Sequence, residues 1–279
     1  PKFMASVKHF TDAGGKVYVL DTGSTDGTAD LARSLGCVVE EVGRKFLITV
    51  DRKMAIAIGN TFAHHKDNGR IIESGDTQFD YSSARNYAAS LSHTDFIFTP
   101  DCDEAFTSLD IEVINAHIKS GVGRLEYNFV FSHNPDGTPN IKFLHSKAYD
   151  RTRMKWVGVI HEVLSGDCEG RFVGEDVVYL EHFQNHETDR SHYLRGLAID
   201  CFLNKDNDRN SHYFGRELMF RGFYNSAIEE LKRHIAMGKF PAERSQSMVF
   251  VGDCHYYLGN HNSQALWYDK AIKTHPNRR

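Results

Sequence analysis

The chain has 279 residues, of which 41% are hydrophobic and 25% charged, with a formal net charge of −4. That length suits one large domain, or one domain with a small appendage, and the composition is that of an ordinary soluble globular protein. The acidic balance argues against non-specific nucleic-acid binding, and no apolar run nears the roughly 20 residues of a bilayer span.

Five scattered cysteines, with no CxxC pair, point away from a disulfide framework or a structural zinc site and towards a reducing, cytoplasmic setting. The opening PKFMASVKHF reads as an amphipathic helix with Phe3, Val7 and Phe10 on one face. KVYVL follows as a short buried strand, ADLARSLG as a helix with Leu31 and Leu35 on its apolar side and Gly36 as its stop, and CVVEEV as a second strand. Residues 44–76, containing MAIAIG and AHHKDNG, have no clean period and read as an insertion with one short helix. SSARNYAASLSH is a helix and DFIFT a continuous apolar strand ending at Pro100. Strands alternating with helices imply an α/β, doubly wound, mainly parallel sheet.

Beyond that point LDIEVINAHIKSG reads as a helix, and GRLEYNFVFSH and IKFLHSKAYDR as two strands of a hairpin turned by NPDGTPN. MKWVGVIHEVL and EDVVYLEHF are further strands. Everything from about Thr188 is helical, so the expected domains are 1–187 and 188–279. Within the tail Gly215 and Gly222 recur as Gly252 and Gly259, and Ala227 and Leu231 match Gln264 and Tyr268, a period of 37. Tetratricopeptide repeats have a period of about 34. Tyr256, Tyr257, Trp267 and Tyr268 fall at helical spacing and read as core.

Two motifs lie at expected strand ends, where ligands bind in doubly wound sheets. DTGSTDGT, Asp21 to Thr28, packs two glycines, two aspartates and four hydroxyls into one turn. Glycine freedom and a cap from Ser24, Thr25 or Asp26 account for most of it, yet Asp21 at the end of a buried strand still needs partners. A phosphate-cradling P-loop is excluded, because no Gly-Lys-Ser/Thr follows. PDCDEAF crowds Asp101, Asp103 and Glu104 together, and like charges so close raise one another's pKa unless a cation compensates. Carboxylate oxygens suit magnesium or manganese, completed by substrate phosphates.

DTGSTDGT, then FDYSSARNYAASLSHTDFIFTPDCDEAF, then WVGVIHEVL resemble a family-2 glycosyltransferase of the GT-A fold carrying C-terminal tetratricopeptide-like helices. The resemblance implies a hexosyltransferase-class, metal-dependent, inverting enzyme that moves sugar from a nucleotide-sugar, UDP-linked, to a hydroxyl. By it Asp21, with Ser24 and Asp26 in the same turn, contacts the nucleotide; Arg85 lines the pocket with Asn86 beside it. Asp101 and Asp103 form the D-x-D that contacts ribose and a Mn2+ or Mg2+ ion, Asp103 being the firmer ligand, and His182 completes the metal site or touches the diphosphate. Glu162 is the implied general base, with His161 beside it; adjacent strand residues serve one site only where the strand ends or bends. The family's additional first strand has no counterpart here, where the chain starts with the helix of Val7 and Phe10.

The acceptor class (glycan, lipid, protein or nucleic acid) is open, and the helical tail is a candidate surface for a protein partner. The rival readings are a sugar nucleotidyltransferase, which normally carries a basic glycine-rich loop absent here, and a non-catalytic interaction protein with a degenerate enzyme domain.

Overall fold

The computed structural model describes residues 2–62, 71–183 and 192–276. In chain order it opens with helix α1 (Lys2–Asp12), strand β1 (Tyr18–Asp21), α2 (Thr28–Ser34) and β2 (Val38–Glu41). Then come β3 (Leu47–Thr49), α3 (Arg52–Phe62), β4 (Thr77–Phe79), α4 (Tyr81–Ser90), β5 (Phe96–Phe98), β6 (Glu104–Leu109) and α5 (Ile111–Lys119). The hairpin β7 (Arg124–His133) and β8 (Pro139–Asp150) precedes β9 (Met154–Val157), β10 (Val163–Gly166), β11 (Gly170–Phe172) and β12 (Val178–His182). Five helices close the chain: α6 (His192–Leu203), α7 (Asp208–Phe220), α8 (Tyr224–Met237), α9 (Pro241–Tyr257) and α10 (His261–Thr274). None of the described helices is long and apolar enough to cross a membrane.

The chain is mixed α/β, and it forms two compact units that interleave along the sequence. One comprises Pro1–Phe46, Tyr81–Val157 and Glu162–Thr188; the other comprises Leu47–Asp80, Gly158–His161 and Asp189–Arg279. The expected boundary at 187/188 and the AHHKDNG stretch lie outside the described residues, as does the side chain of Phe3. The helical unit is nevertheless more than a tail, because the expected insertion contributes β3 paired with β4, and α3 packed on α6.

In the first unit β1 and β2 pair in parallel across α2, from Tyr18↔Val38 to Asp21↔Glu41. Gly36, at φ 82°, ends α2 as expected, but the buried residue of that helix is Ala32 and Leu31 is exposed. The larger sheet runs β5-β8-β7-β12-β6 with β11 also on β7. It is antiparallel at β5–β8, β7–β8 and β12–β6, and parallel only at β12–β7 and β11–β7. The expected mainly parallel sheet is thereby corrected. The reason is connectivity: the expected hairpin β7–β8 forms at the tight Asn134–Gly137 turn, but it lies inside the sheet, and β5 joins β8 antiparallel at one edge while β6 joins β12 antiparallel at the other. The sheet's core is Leu125, Tyr127, Phe129, Ala148, Val178 and Leu180, with Phe10 of α1 and Phe96, Phe98 and Phe106 packed against it. Each such fully buried large apolar side chain contributes about 1.5–3 kcal/mol.

Two other expectations change. The acidic loop is shorter than it reads, since Glu104 already begins β6 and is buried. MKWVGVIHEVL is not one strand but the antiparallel pair β9–β10, with Val157 opposite Val163. Gly158 at φ 105° and His161 at φ 52° break it, and for a histidine that left-handed backbone is uncommon.

In the second unit α7–α8 and α9–α10 are equivalent hairpins. A methyl on Gly215 would meet the Leu231 side chain at 2.6 Å, and one on Gly252 would meet Tyr268 at 2.4 Å. The matched glycines are therefore where each hairpin's two helices approach, and the matched Leu231 and Tyr268 are what they approach. Gly222 and Gly259, at φ 81° and 75°, follow the first helix of each pair. Trp267 and Tyr268 are half-buried, whereas Tyr256 and Tyr257 are exposed, because they lie at the end of α9, where Tyr257 stacks on Tyr224 instead of entering the core.

Candidate functional site

Five charged side chains of the first unit form one continuous chain of contacts. It starts at the turn between β5 and β6, where the Asp101 N–H donates to Glu104 Oε2 at 2.8 Å and the Glu104 N–H returns to the Asp101 carbonyl at 3.0 Å. Lys147, reaching in from β8, donates to Asp101 Oδ2 at 2.7 Å and to Glu104 Oε1 at 2.5 Å. Arg85, from α4, donates through Nη2 to Asp101 Oδ1 at 2.5 Å and through Nε to Glu162 Oε1 at 2.8 Å. Its guanidinium also lies over the Trp156 ring, 5.0 Å from the centroid.

The electrostatics follow from burial and these pairings. Burial opposes the charge on Arg85, yet Asp101 and Glu162 together hold its pKa above the ordinary value. Burial likewise works to raise Asp101, and Lys147 and Arg85 more than reverse it, so that carboxyl ends below its usual range. At Glu104 burial wins over the pull of Lys147 and the pKa ends raised. His145, two residues before Lys147 on β8, is driven down to about 4, first by burial and then by the Lys147 charge. It is a neutral imidazole beside the cations at neutral pH.

Asp103 stands outside this chain. The β6–β12 register sets Glu104 opposite His182, and the Phe183 N–H donates to the Asp103 carbonyl at 2.8 Å. The Asp103 carboxylate, about half exposed, thus meets the His182 ring, with Oδ2 3.1 Å from Nε2. The other ring nitrogen, Nδ1, lies 3.1 Å from the Phe131 carbonyl, and the ring stacks on Phe131 at 5.4 Å. The carbonyl and the carboxylate oxygen both only accept, so the ring serves both at once as imidazolium and one of them as a neutral tautomer. In the tautomer with the proton on Nδ1, the Nε2 lone pair faces a carboxylate oxygen at 3.1 Å, an arrangement that a cation ligated by both atoms satisfies. Among the described residues no group of three or more His, Cys, Asp or Glu side chains could hold a metal ion. Ions of the magnesium and manganese kind are commonly held by one or two protein ligands plus substrate phosphates.

The turn after β1 supplies the partners that Asp21 lacks in the sequence. Its Oδ1 accepts the N–H groups of Ser24 and Gly23 at 2.8 and 2.9 Å, which lowers its pKa. Asp26 turns to the helix start instead, accepting from Thr28 N at 3.1 Å and Thr28 Oγ1 at 2.6 Å. Asn86 is engaged with β9: its amide donates to the Trp156 carbonyl at 2.8 Å and accepts from the Trp156 N–H at 2.9 Å. That two-point clamp fixes Trp156 beneath Arg85.

The implied pair His161 and Glu162 parts company at the β9–β10 break. Glu162 belongs to the first unit and its carboxylate is oriented by Arg85. His161 belongs to the second, its ring stacked between Tyr193 and Tyr213 at 5.2 and 4.8 Å, and burial with the nearby Arg216 and Arg209 charges takes its pKa down to about 4.

Lys147 is the residue that motif reading misses. The crowding of Asp101, Asp103 and Glu104 signals the need for a compensating cation, and the chain itself supplies two, Lys147 and Arg85, to all but Asp103. A lone lysine within the SKAY stretch of an apolar strand is the available clue.

No model of a known protein family matches the chain, and no curated protein is found to match it.

Proposed function

We propose that this chain is a metal-dependent inverting glycosyltransferase of the GT-A kind, transferring a hexosyl group from a UDP-linked donor to a hydroxyl acceptor. The observation that carries this reading is the Asp103–His182 contact, in which a carboxylate oxygen and an imidazole nitrogen converge at 3.1 Å. Asp103 Oδ2 and His182 Nε2 would hold a divalent Mn2+ or Mg2+ ion, with diphosphate oxygens completing its shell. That ion, when bound, offsets the negative charge that develops on the departing diphosphate.

The remaining roles fall to the chain's own groups. Lys147 and Arg85 neutralise Asp101 and Glu104, leaving Asp103 as the carboxylate of the acidic turn without a lysine or arginine partner among the described residues. The β1–α2–β2 unit presents Asp21, whose Oδ2 accepts from the N–H of a base or a ribose hydroxyl. Glu162, oriented through Oε1 by Arg85, keeps Oε2 for the acceptor proton. In the transfer that proton passes to Glu162, the acceptor oxygen forms the new bond to the anomeric carbon from the face opposite UDP, and the bond from that carbon to the diphosphate breaks.

Calorimetric titration of UDP with manganese, with chelator, and on Asp103→Ala tests the reading. Manganese-dependent binding to the wild-type chain, lost in the variant, is the expected result. Equal binding with and without metal, or none at all by a folded chain, overturns it.

A further inference from the structure

The second unit holds a group of side chains that the glycosyltransferase reading does not use. His192, Tyr193, His161 and Tyr213 form a run of stacked rings, with successive centroids 4.7, 5.2 and 4.8 Å apart and interplanar angles of 25° or less. Onto Tyr213 converge two arginines of the same helix, α7: the Arg209 Cζ lies 4.8 Å from the ring centroid and the Arg216 Cζ 4.6 Å. Two guanidinium charges thus approach one ring, and the acid nearest the His161 ring, Glu217, is paired with Arg221. Neither arginine is in an ion pair among the described residues, and the Nε atoms of both are sealed from solvent without an acceptor.

The acids of α7 are committed elsewhere. Glu217 pairs with Arg221 at 2.9 Å, while Asp208 accepts the backbone N–H groups of Arg209 and Lys239 at 2.9 and 3.1 Å. His161 is held beside these cations in the left-handed backbone region that a histidine seldom adopts, a strain typical of ligand-binding positions. Burial first, and then the two guanidiniums, keep its ring neutral at neutral pH. Buried unpaired N–H donors are uncommon in folded proteins, and paired arginines match the planar bidentate geometry of phosphate oxygens.

We propose that Arg209 and Arg216, walled by the His161–Tyr193–Tyr213 stack, form a receptor for a phosphate-class dianion. Free phosphate and a phosphate monoester share the chemistry; an aromatic monoester gains in addition from the ring stack. Every residue in it belongs to the helical unit, and none is given a role in the reading above.

The test is calorimetric titration of inorganic phosphate and of phenyl phosphate into the full chain at constant ionic strength, with circular dichroism to verify folding. Saturable binding of both is expected, phenyl phosphate the tighter, with affinity at least tenfold weaker in Arg209→Gln and in Arg216→Gln and unchanged in Asp103→Ala. Should the glutamine variants not fold, Arg216→Lys keeps the charge and loses the bidentate fork, and a severalfold loss is expected there. Lack of saturation by the wild-type chain, undiminished binding in the arginine variants, or a matching loss in Asp103→Ala each overturns the proposal. A failure of UDP and manganese to bind leaves this result standing, and the reverse holds equally.

Discussion

Lys147 occupies a position where charge is expensive: its side chain is 6% exposed and the carboxylate beneath it, Glu104, 3%. Removing one partner of a buried ion pair strands the other, at a typical cost of about 3–5 kcal/mol. Lys147→Met is therefore expected to lower stability by about that amount in urea unfolding, since Glu104 loses its cation and Asp101 keeps only Arg85. Lys147→Met with Glu104→Gln removes the stranded charge and is expected to recover a large part of the loss. Recovery of nothing would mean that packing rather than charge sets the cost.

His145 and His161 both titrate at about 4 in the folded chain, against an ordinary 6.5. Between those values the unfolded chain binds protons that the folded chain refuses, so stability falls as the pH drops. The contribution is complete above about 6.5 and lost progressively towards about 4. Because one histidine lies in each unit, both units are expected to weaken over the same window. Denaturant midpoints measured from pH 7 to pH 4 check this, and His145→Phe should flatten the slope of the first unit alone.

At the scale of elements, the matched glycines of the helical hairpins define a second test. Gly215→Ala sets a methyl 2.6 Å from the Leu231 side chain, and Gly252→Ala sets one 2.4 Å from the Tyr268 ring. Overpacking of that kind costs about 1–3 kcal/mol, and thermal unfolding of each variant measures it. Leu231→Ala combined with Gly215→Ala should cost less than the sum of the two single changes, since the cavity admits the methyl. The hairpins were legible because a glycine at a helix crossing and a glycine after a helix each leave a local mark, repeated at one spacing. The exposure of Tyr256 and Tyr257 was not, since helical spacing says which residues share a face but not where the partner helix stops. For the same reason the single strand expected over MKWVGVIHEVL hid a break: only Gly158 advertises a left-handed backbone, and His161 does not.

At the scale of the molecule, most strand and helix identities were readable, as was the antiparallel β7–β8 hairpin, while the direction of the other pairings was not. Apolar runs and turn residues mark β5, β7, β8 and β12 locally, but direction depends on which strands meet, a non-local property. The interleaving of the units was equally hidden, because the four residues Gly158–His161 carry no signal that they belong with helices far along the chain. Asp21, Arg85, Asp101, Asp103, Glu162 and His182 were named from motifs, and Arg85 does meet Asp101 and Glu162, as Asp103 meets His182. Lys147 escaped because a lysine in a strand reads as solvated until the fold encloses it.

The central claim is that Asp103 and His182 ligate one divalent cation together with a nucleoside diphosphate. The direct measurement is pulsed electron paramagnetic resonance of Mn2+ bound with UDP to the full chain, which detects a nitrogen nucleus coordinated to the metal. The account predicts a histidine nitrogen coupling in the wild-type spectrum that disappears in His182→Gln, with Mn2+ binding itself lost in Asp103→Ala. A bound Mn2+ without nitrogen coupling, or a coupling that survives His182→Gln, contradicts it.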